Sequence, residues 1–210
     1  MSEVLMKIGG VPVYLDPDGS VHFVGEFTID CDGCPMAYGP DGCLPEPYDY
    51  LANAGYPGNW WGIVTDEYGN PYEQKESDPR ERAPYPGLYV STTAYVNPGY
   101  DKYDVRRYVD SEKVKFCVIP SNVRMSVHPK VLGCRTVITD QLTGKTLECA
   151  CCDIGPADHL GEAAWPQVST SAWTLARSTA AVPTTIVSIT ASSPESPRQP
   201  SSSKANLFII

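Results

Sequence analysis

The densest run of side chains that can do chemistry is Asp153-Ile154-Gly155-Pro156-Ala157-Asp158-His159-Leu160-Gly161-Glu162. Two carboxyl groups held across a cleft perform general acid and base work when one is neutral and the other ionised. Asp153 closes an apolar stretch that reads as a strand, which would carry its carboxylate to the rim of a sheet. Fully extended, the chain from there to Glu162 spans roughly 30 Å. Gly155-Pro156 and Gly161 must therefore turn it if Glu162 is to return beside Asp153. His159 sits in the same run and can tune a carboxyl or touch a substrate, although a plain loop histidine is the simpler account. On spacing alone, an ordinary surface loop explains the whole run.

A second acidic element is Thr28-Ile29-Asp30-Cys31-Asp32-Gly33. The ligand series of a calcium loop is incomplete there, and a turn closing a strand is the simpler reading. Were it to face the same cleft, Asp30 and Asp32 would hold a cationic substrate. Trp60-Trp61, Tyr85, Tyr89 and Tyr95 supply aromatic faces, of which about half should be core; exposed ones beside carboxylates suit a sugar ring. Cys31-x-x-Cys34 has metal-ligand spacing, but no second such pair exists among the 8 cysteines. In a strand, Cys149 and Cys151 share one face and Cys152 takes the other. Core thiols or a disulfide are favoured over zinc. Gly144-Lys145-Thr146 lacks the first glycine of a phosphate-binding loop and reads as a hairpin turn.

The elements that must position these groups are strands. Val11 to Leu15 is one, followed by the turn Asp16-Pro17-Asp18-Gly19 and a strand from Val21 to Ile29. Residues 30–59 read as irregular. Trp60 to Thr65 and Gly87 to Val96 read as buried strands separated by a charged, Pro-rich loop. Lys113 to Ile119 is stopped by Pro120. Arg135 to Thr139 and Thr146 to Ile154 form a hairpin around residues 140–144. A 3.6-residue apolar period is almost absent, so the expected class is all-β, a barrel or sandwich.

The 210 residues carry a formal net charge of −9. That length suits one domain, or one domain and a tail. The charge is uneven: 24 acidic and 13 basic residues precede Ala163, a net −11, whereas residues 163–210 hold one acid and three bases. Those last residues include 16 Ser or Thr, a composition typical of linkers and tails. An acidic chain without a basic cluster is a poor ligand for nucleic acid. No apolar run approaches the ~20 residues of a membrane span. Met1 to Gly10 lacks the basic start and apolar stretch of a signal peptide.

The order of motifs resembles a known family. Ile29-Asp30-Cys31-Asp32-Gly33 is followed by Gly87-Leu88-Tyr89-Val90-Ser91-Thr92-Thr93, then Lys113-Val114-Lys115-Phe116-Cys117-Val118-Ile119-Pro120, then the hairpin, Asp153-Ile154-Gly155-Pro156 and Gly161-Glu162-Ala163. Over residues 26–163 this is similar to the chitosanase family 75 of the glycoside hydrolases and its bacterial and phage relatives. The resemblance implies a six-stranded double-psi β-barrel and endo-hydrolysis of β-1,4-linked glucosamine chains. It implies Glu162 as general acid and Asp153 as the base that activates water, with inversion, and no metal or organic cofactor. Inversion needs a gap of about 6.5–9.5 Å between the carboxyls.

The expected organisation is an N-terminal extension over 1–25, the barrel over 26–165, and a poorly structured or aberrant tail over 166–210. The expected partner is chitosan or a similar amino-sugar polysaccharide, bound by a monomer through Asp30, Asp32, His159, Asp158, Trp60 and Tyr89, with no nucleic acid or membrane partner. The −11 of the first 162 residues suits that polycation. In the family, the Gly-Glu pair leads into an apolar helix that packs on the barrel. Here Pro166 opposes a helix, and the abrupt loss of charge suggests that the native C-terminal part is replaced, as by a shift of reading frame near Ala163. Two other readings stand beside hydrolysis of chitosan: an enzyme that cleaves peptidoglycan glycan, and an inactive carbohydrate-binding or virion structural barrel. Secretion, common in the family, or a phage origin would each bring such a protein to an external polymer.

Overall fold

The computed structural model describes residues 1–127, 131–141 and 144–164 in full, and residues 187–192 as backbone. Eleven described strands and one short helix follow in chain order. They are β1 (Glu3–Ile8), β2 (Val11–Leu15), β3 (Val21–Gly25), β4 (Thr28–Asp30), β5 (Gly55–Tyr56), β6 (Asn59–Trp60), β7 (Phe116–Pro120), α1 (Ser121–Val127), β8 (Arg135–Asp140), β9 (Thr146–Gly155), β10 (Glu162–Ala164) and β11 (Val187–Ser192). Nine of them make one sheet in the order β1-β2-β3-β11-β8-β9-β7-β10-β4, curled as a half-barrel. The class is all-β, as the sequence pattern implies.

Local chemistry sets the strand ends. Between β2 and β3 the Gly19 N–H donates to Asp16 O at 2.9 Å, and Gly19 takes φ 82°, which glycine adopts without strain. The strand expected from Val21 to Ile29 is broken in two. Up to Gly25 the chain pairs with β11; from Thr28 it pairs in parallel with β10. The switch occurs where Gly161 packs on the Glu26 carbonyl and accepts the Thr28 N–H at 2.9 Å.

The expected strands over Trp60–Thr65 and Gly87–Val96 are buried in part but make no continuous ladder. Val64 N–H donates to Val90 O at 3.0 Å, and Ile63 meets Ser91 in an isolated bridge. Pro71, Pro79, Pro84 and Pro86 deprive the segment between them of donors. The helix α1 has no counterpart in the sequence reading; only Val123 is fully buried along it, too little to show a period.

The N-terminal strands are no separate extension in space. Ile8, Val13, Val21 and Phe23 share one core with Cys117, Ile119, Ile138 and Cys151. The stretch expected as an unstructured tail supplies β11, whose Val187-Ser188-Ile189-Thr190 run is β-branched at three positions. This corrects that expectation for residues 187–192. Residues 165–186 and 193–210 lie outside the described ones, as do His128 and the tip of the β8–β9 turn.

One irregularity matters for the site. The parallel pair β7/β9 runs Cys117 opposite Cys151 and then Val118 opposite Asp153, so Cys152 is an extra residue. Before it, Cys151 faces the main core with Cys117. Cys152 faces a second cluster with Phe116, Val118 and Ala164. Strict alternation would next send Asp153 back to the face of Cys151. The bulge advances the phase by one residue and sends Asp153 to the face of Val118.

Candidate functional site

Residues of β4, of the end of β9 and of the start of β10 line a cleft of about 840 Å³, within the size range of ligand sites. Asp153 and Glu162 both line it. Asp153 lies opposite Val118 on one side of β7. On the other side Ala163 pairs with Cys117, so the antiparallel register places Glu162 across from Val118 too. The two acidic residues therefore flank a single central residue. Two strand spacings separate their backbones by about 9.5 Å.

Asp153 is almost buried, at 7% exposure. Its Oδ1 accepts the Ala94 N–H at 2.9 Å and the Ile154 N–H at 2.7 Å. Burial pushes its carboxyl up to about 6, against the lowering effect of those N–H groups. Glu162 is half-buried, and burial, Asp30 and Asp153 raise its carboxyl, while His159 pulls the other way. His159 Nε2 stands 3.8 Å from Glu162 Oε1 and 3.3 Å from Thr28 Oγ1. Gly155 makes room for this packing: a Cβ there would meet the Glu162 carboxylate and make it shift.

Asp30 and Asp32 face the same cleft. The chain just after Asp32 is held from behind, because the buried Arg82 donates from Nη2 to Gly33 O at 3.0 Å. Ser91 Oγ donates to Asp32 Oδ1 at 2.9 Å, and the Asp32 N–H donates to Asp30 Oδ1 at 3.0 Å. The Asp32 carboxyl touches those of Asp30 and Asp153. Burial first, and then the charges of Asp30 and Asp153, push Asp32 up to about 9.

The structure thus brings together Asp30, Asp32, His159, Asp153 and Glu162. It does not bring Asp158, Trp60 or Tyr89 to the cleft. Asp158 is exposed, and its neighbours Pro156 and His159 line the cleft in its place. Trp60 is paired with Gly55 in the small β5/β6 ladder and packs on Ala54, Tyr38 and their neighbours. Tyr89 packs on that same cluster. Their places are taken by Trp61, 57% exposed, and by Tyr38. Adjacent residues on extended chain face opposite ways, and the sequence does not say which of two adjacent tryptophans is the outer one.

Asp49 and Asn53 are further residues of the cleft wall that the motifs did not reveal. Asp49 Oδ2 accepts from Tyr38 Oη at 3.2 Å, and its Oδ1 accepts from Asn53 Nδ2 at 2.8 Å. Both lie in the irregular stretch after Pro47, where no periodicity exists to mark a functional face. Five carboxyl groups thus face the cleft, with His159 as the one basic side chain among the described lining residues. Among the described residues no group of three or more His, Cys, Asp and Glu is arranged to hold a metal ion. No family model matches the chain, and no curated protein matches it.

Proposed function

We propose that this cleft cleaves β-1,4-linked glucosamine chains, as the motif order implies, on a double-psi β-barrel. The observation that carries the reading is the placement of Asp153 and Glu162 on either side of Val118 in an acidic cleft. Their backbone separation suits carboxyls that admit a water between them, the arrangement of an inverting glycosidase. The parallel pairs β7/β9 and β4/β10, each joined through intervening elements, support the barrel.

Glu162, half-buried and raised, is the acid. It passes its proton to the glycosidic oxygen as the bond from that oxygen to the anomeric carbon breaks. Asp153, ionised and held by two backbone N–H groups, takes a proton from the water that attacks the opposite face of the sugar. Solvent then returns a proton to Glu162 and removes one from Asp153. Trp61, with Tyr56 edge-on to it at 5.9 Å, offers the apolar platform on which a pyranose ring stacks. Asp30 and Asp49 offer charge to the ammonium groups of glucosamine units.

The test is release of reducing ends from chitosan by the wild-type chain and by Asp153→Asn and Glu162→Gln. Loss of about 10²- to 10⁴-fold in either variant is expected for removal of a general acid or base. Equal rates in all three would sink the mechanism. Activity on peptidoglycan sacculi without activity on chitosan would move the substrate class. Glycan retention that survives both substitutions would mark a binding module.

A further inference from the structure

Asp32 has no part in the two-carboxyl mechanism, yet it is the most crowded acid of the cleft. Its carboxyl touches Asp30 from β4 and Asp153 from β9. Cys31 and Tyr38 also stand near it. Among the described residues no lysine or arginine lines the cleft, and the basic group that does, His159, is turned to Glu162 and Thr28. Three carboxylates cannot all carry charge in mutual contact; one must keep a proton to bridge its neighbours. Asp32 occupies the middle position. Ser91 Oγ stands 2.9 Å from its Oδ1 and 3.0 Å from the Gly62 carbonyl, so a hydroxyl partner holds one side of the carboxyl.

We propose that Asp32 is a positioning residue that keeps its proton at neutral pH and donates it within the Asp30–Asp32–Asp153 cluster, so that Asp153 is held ionised and aimed at the attacking water. The catalytic half of this statement rests on the hydrolase reading; the proton itself does not. In this scheme Asp32 touches neither sugar nor water. It fixes the second oxygen of a carboxylate whose first oxygen is fixed by Ala94 and Ile154. Raised burial of the cluster makes neutrality of Asp32 the cheapest way to keep Asp153 charged. The device resembles in logic a pair of aspartates sharing one proton.

The experiment uses the full chain as wild type, Asp32→Asn and Asp32→Ala. The first readout is infrared difference spectroscopy of the carboxylic-acid C=O stretch between pH 5 and pH 9, without substrate. Wild type is expected to retain one acid band at pH 7 that disappears toward pH 9, and Asp32→Asn is expected to lack it. The second readout is the melting temperature over the same range. Asp32→Asn keeps a donor but cannot ionise, so its melting temperature is expected to exceed that of wild type increasingly as pH rises. The third readout, on chitosan, is expected to show kcat of Asp32→Ala reduced about 100-fold with KM nearly unchanged, as for a misplaced base. Asp32→Asn should rescue most of that loss.

An acid band that is absent from wild type at pH 7, or that survives Asp32→Asn, overturns the proposal. So does a kcat of Asp32→Ala equal to wild type in a wild-type chain that cleaves chitosan. If the wild-type chain cleaves no chitosan, the hydrolase reading falls, while the infrared and melting readouts still decide where the proton resides. Should Asp32→Ala fail to fold, Asp32→Asn carries both the spectroscopic and the kinetic comparison.

Discussion

At the scale of residues, the cleft is governed by carboxyl groups held above their ordinary protonation range. In the proposed mechanism Asp153 must be ionised to act as base, so the rate should rise as pH rises through its raised value near 6. Glu162 must be protonated to act as acid, so the rate should fall as pH rises through its own raised value. Both shifts are upward; the bell-shaped profile of kcat/KM should therefore peak above the range near 4 of unperturbed carboxyls. Gly155→Ala tests the close approach to Glu162 without touching either carboxyl. It should lower kcat at least 10-fold, by analogy with other small displacements of reacting groups, while circular dichroism stays that of wild type. Trp61→Ala should weaken chitosan binding, read as a raised KM, whereas Trp60→Ala should lower the melting temperature and leave KM alone. The distinction was not legible in the sequence, because a Trp-Trp pair gives no clue to which ring is covered by Gly55 and Ala54. Asp153, Glu162, Asp30 and Asp32 were singled out by the resemblance in motif order, since on spacing alone the two acidic runs read as a surface loop and a turn.

At the scale of elements, the face that Asp153 presents is a product of strand phase. From Cys149 onward, a two-residue period alone would place Asp153 in the core with Cys151, where an unpaired carboxyl is prohibitively costly. The extra residue in β9 resolves the conflict. Deleting Cys152 would bring Asp153 directly after Cys151, so strict alternation would itself keep Asp153 on the face of Val118. The expected outcome is a melting temperature lowered by several degrees, because the cluster of Phe116, Val118 and Ala164 loses the Cys152 side chain, with more chitosan cleavage retained than in Asp153→Asn. Cleavage as low as that of Asp153→Asn would show that the bulge itself is needed to aim the residue. Bulges leave little trace in a sequence, because the inserted residue, here an apolar cysteine, looks like any other strand residue. The broken strand at Glu26–Phe27 was hidden for a related reason. Its apolar pattern continues through the break, and only the arrival of Gly161 from far along the chain divides it.

At the scale of the whole molecule, charge and stability pull against each other. Each carboxyl raised in the fold binds more protons in the native state than in the unfolded one between about pH 4 and its native value. The stability this confers is fully present below about pH 4 as far as these groups are concerned, and is lost as pH rises, for Asp32 up to about 9. Under the proposed function the same charges would attract a polycation, and salt would screen that attraction. KM for chitosan should therefore rise with added sodium chloride, while KM for a fully acetylated, uncharged oligomer should change little. The all-β class was legible from the near-absence of a 3.6-residue apolar period and from turn residues. The role of residues 187–192 was not, because a Ser/Thr-rich composition argues for a tail, whereas pairing with β3 and β8 is decided by edges made far away in sequence. That placement also bears on biosynthesis. β3 and β8 both leave the ribosome before β11, the strand that joins them. Until then both carry open edges that invite pairing with a second nascent chain, so the yield of folded protein should depend more on how closely ribosomes are spaced on the message than it would for a sheet built in chain order.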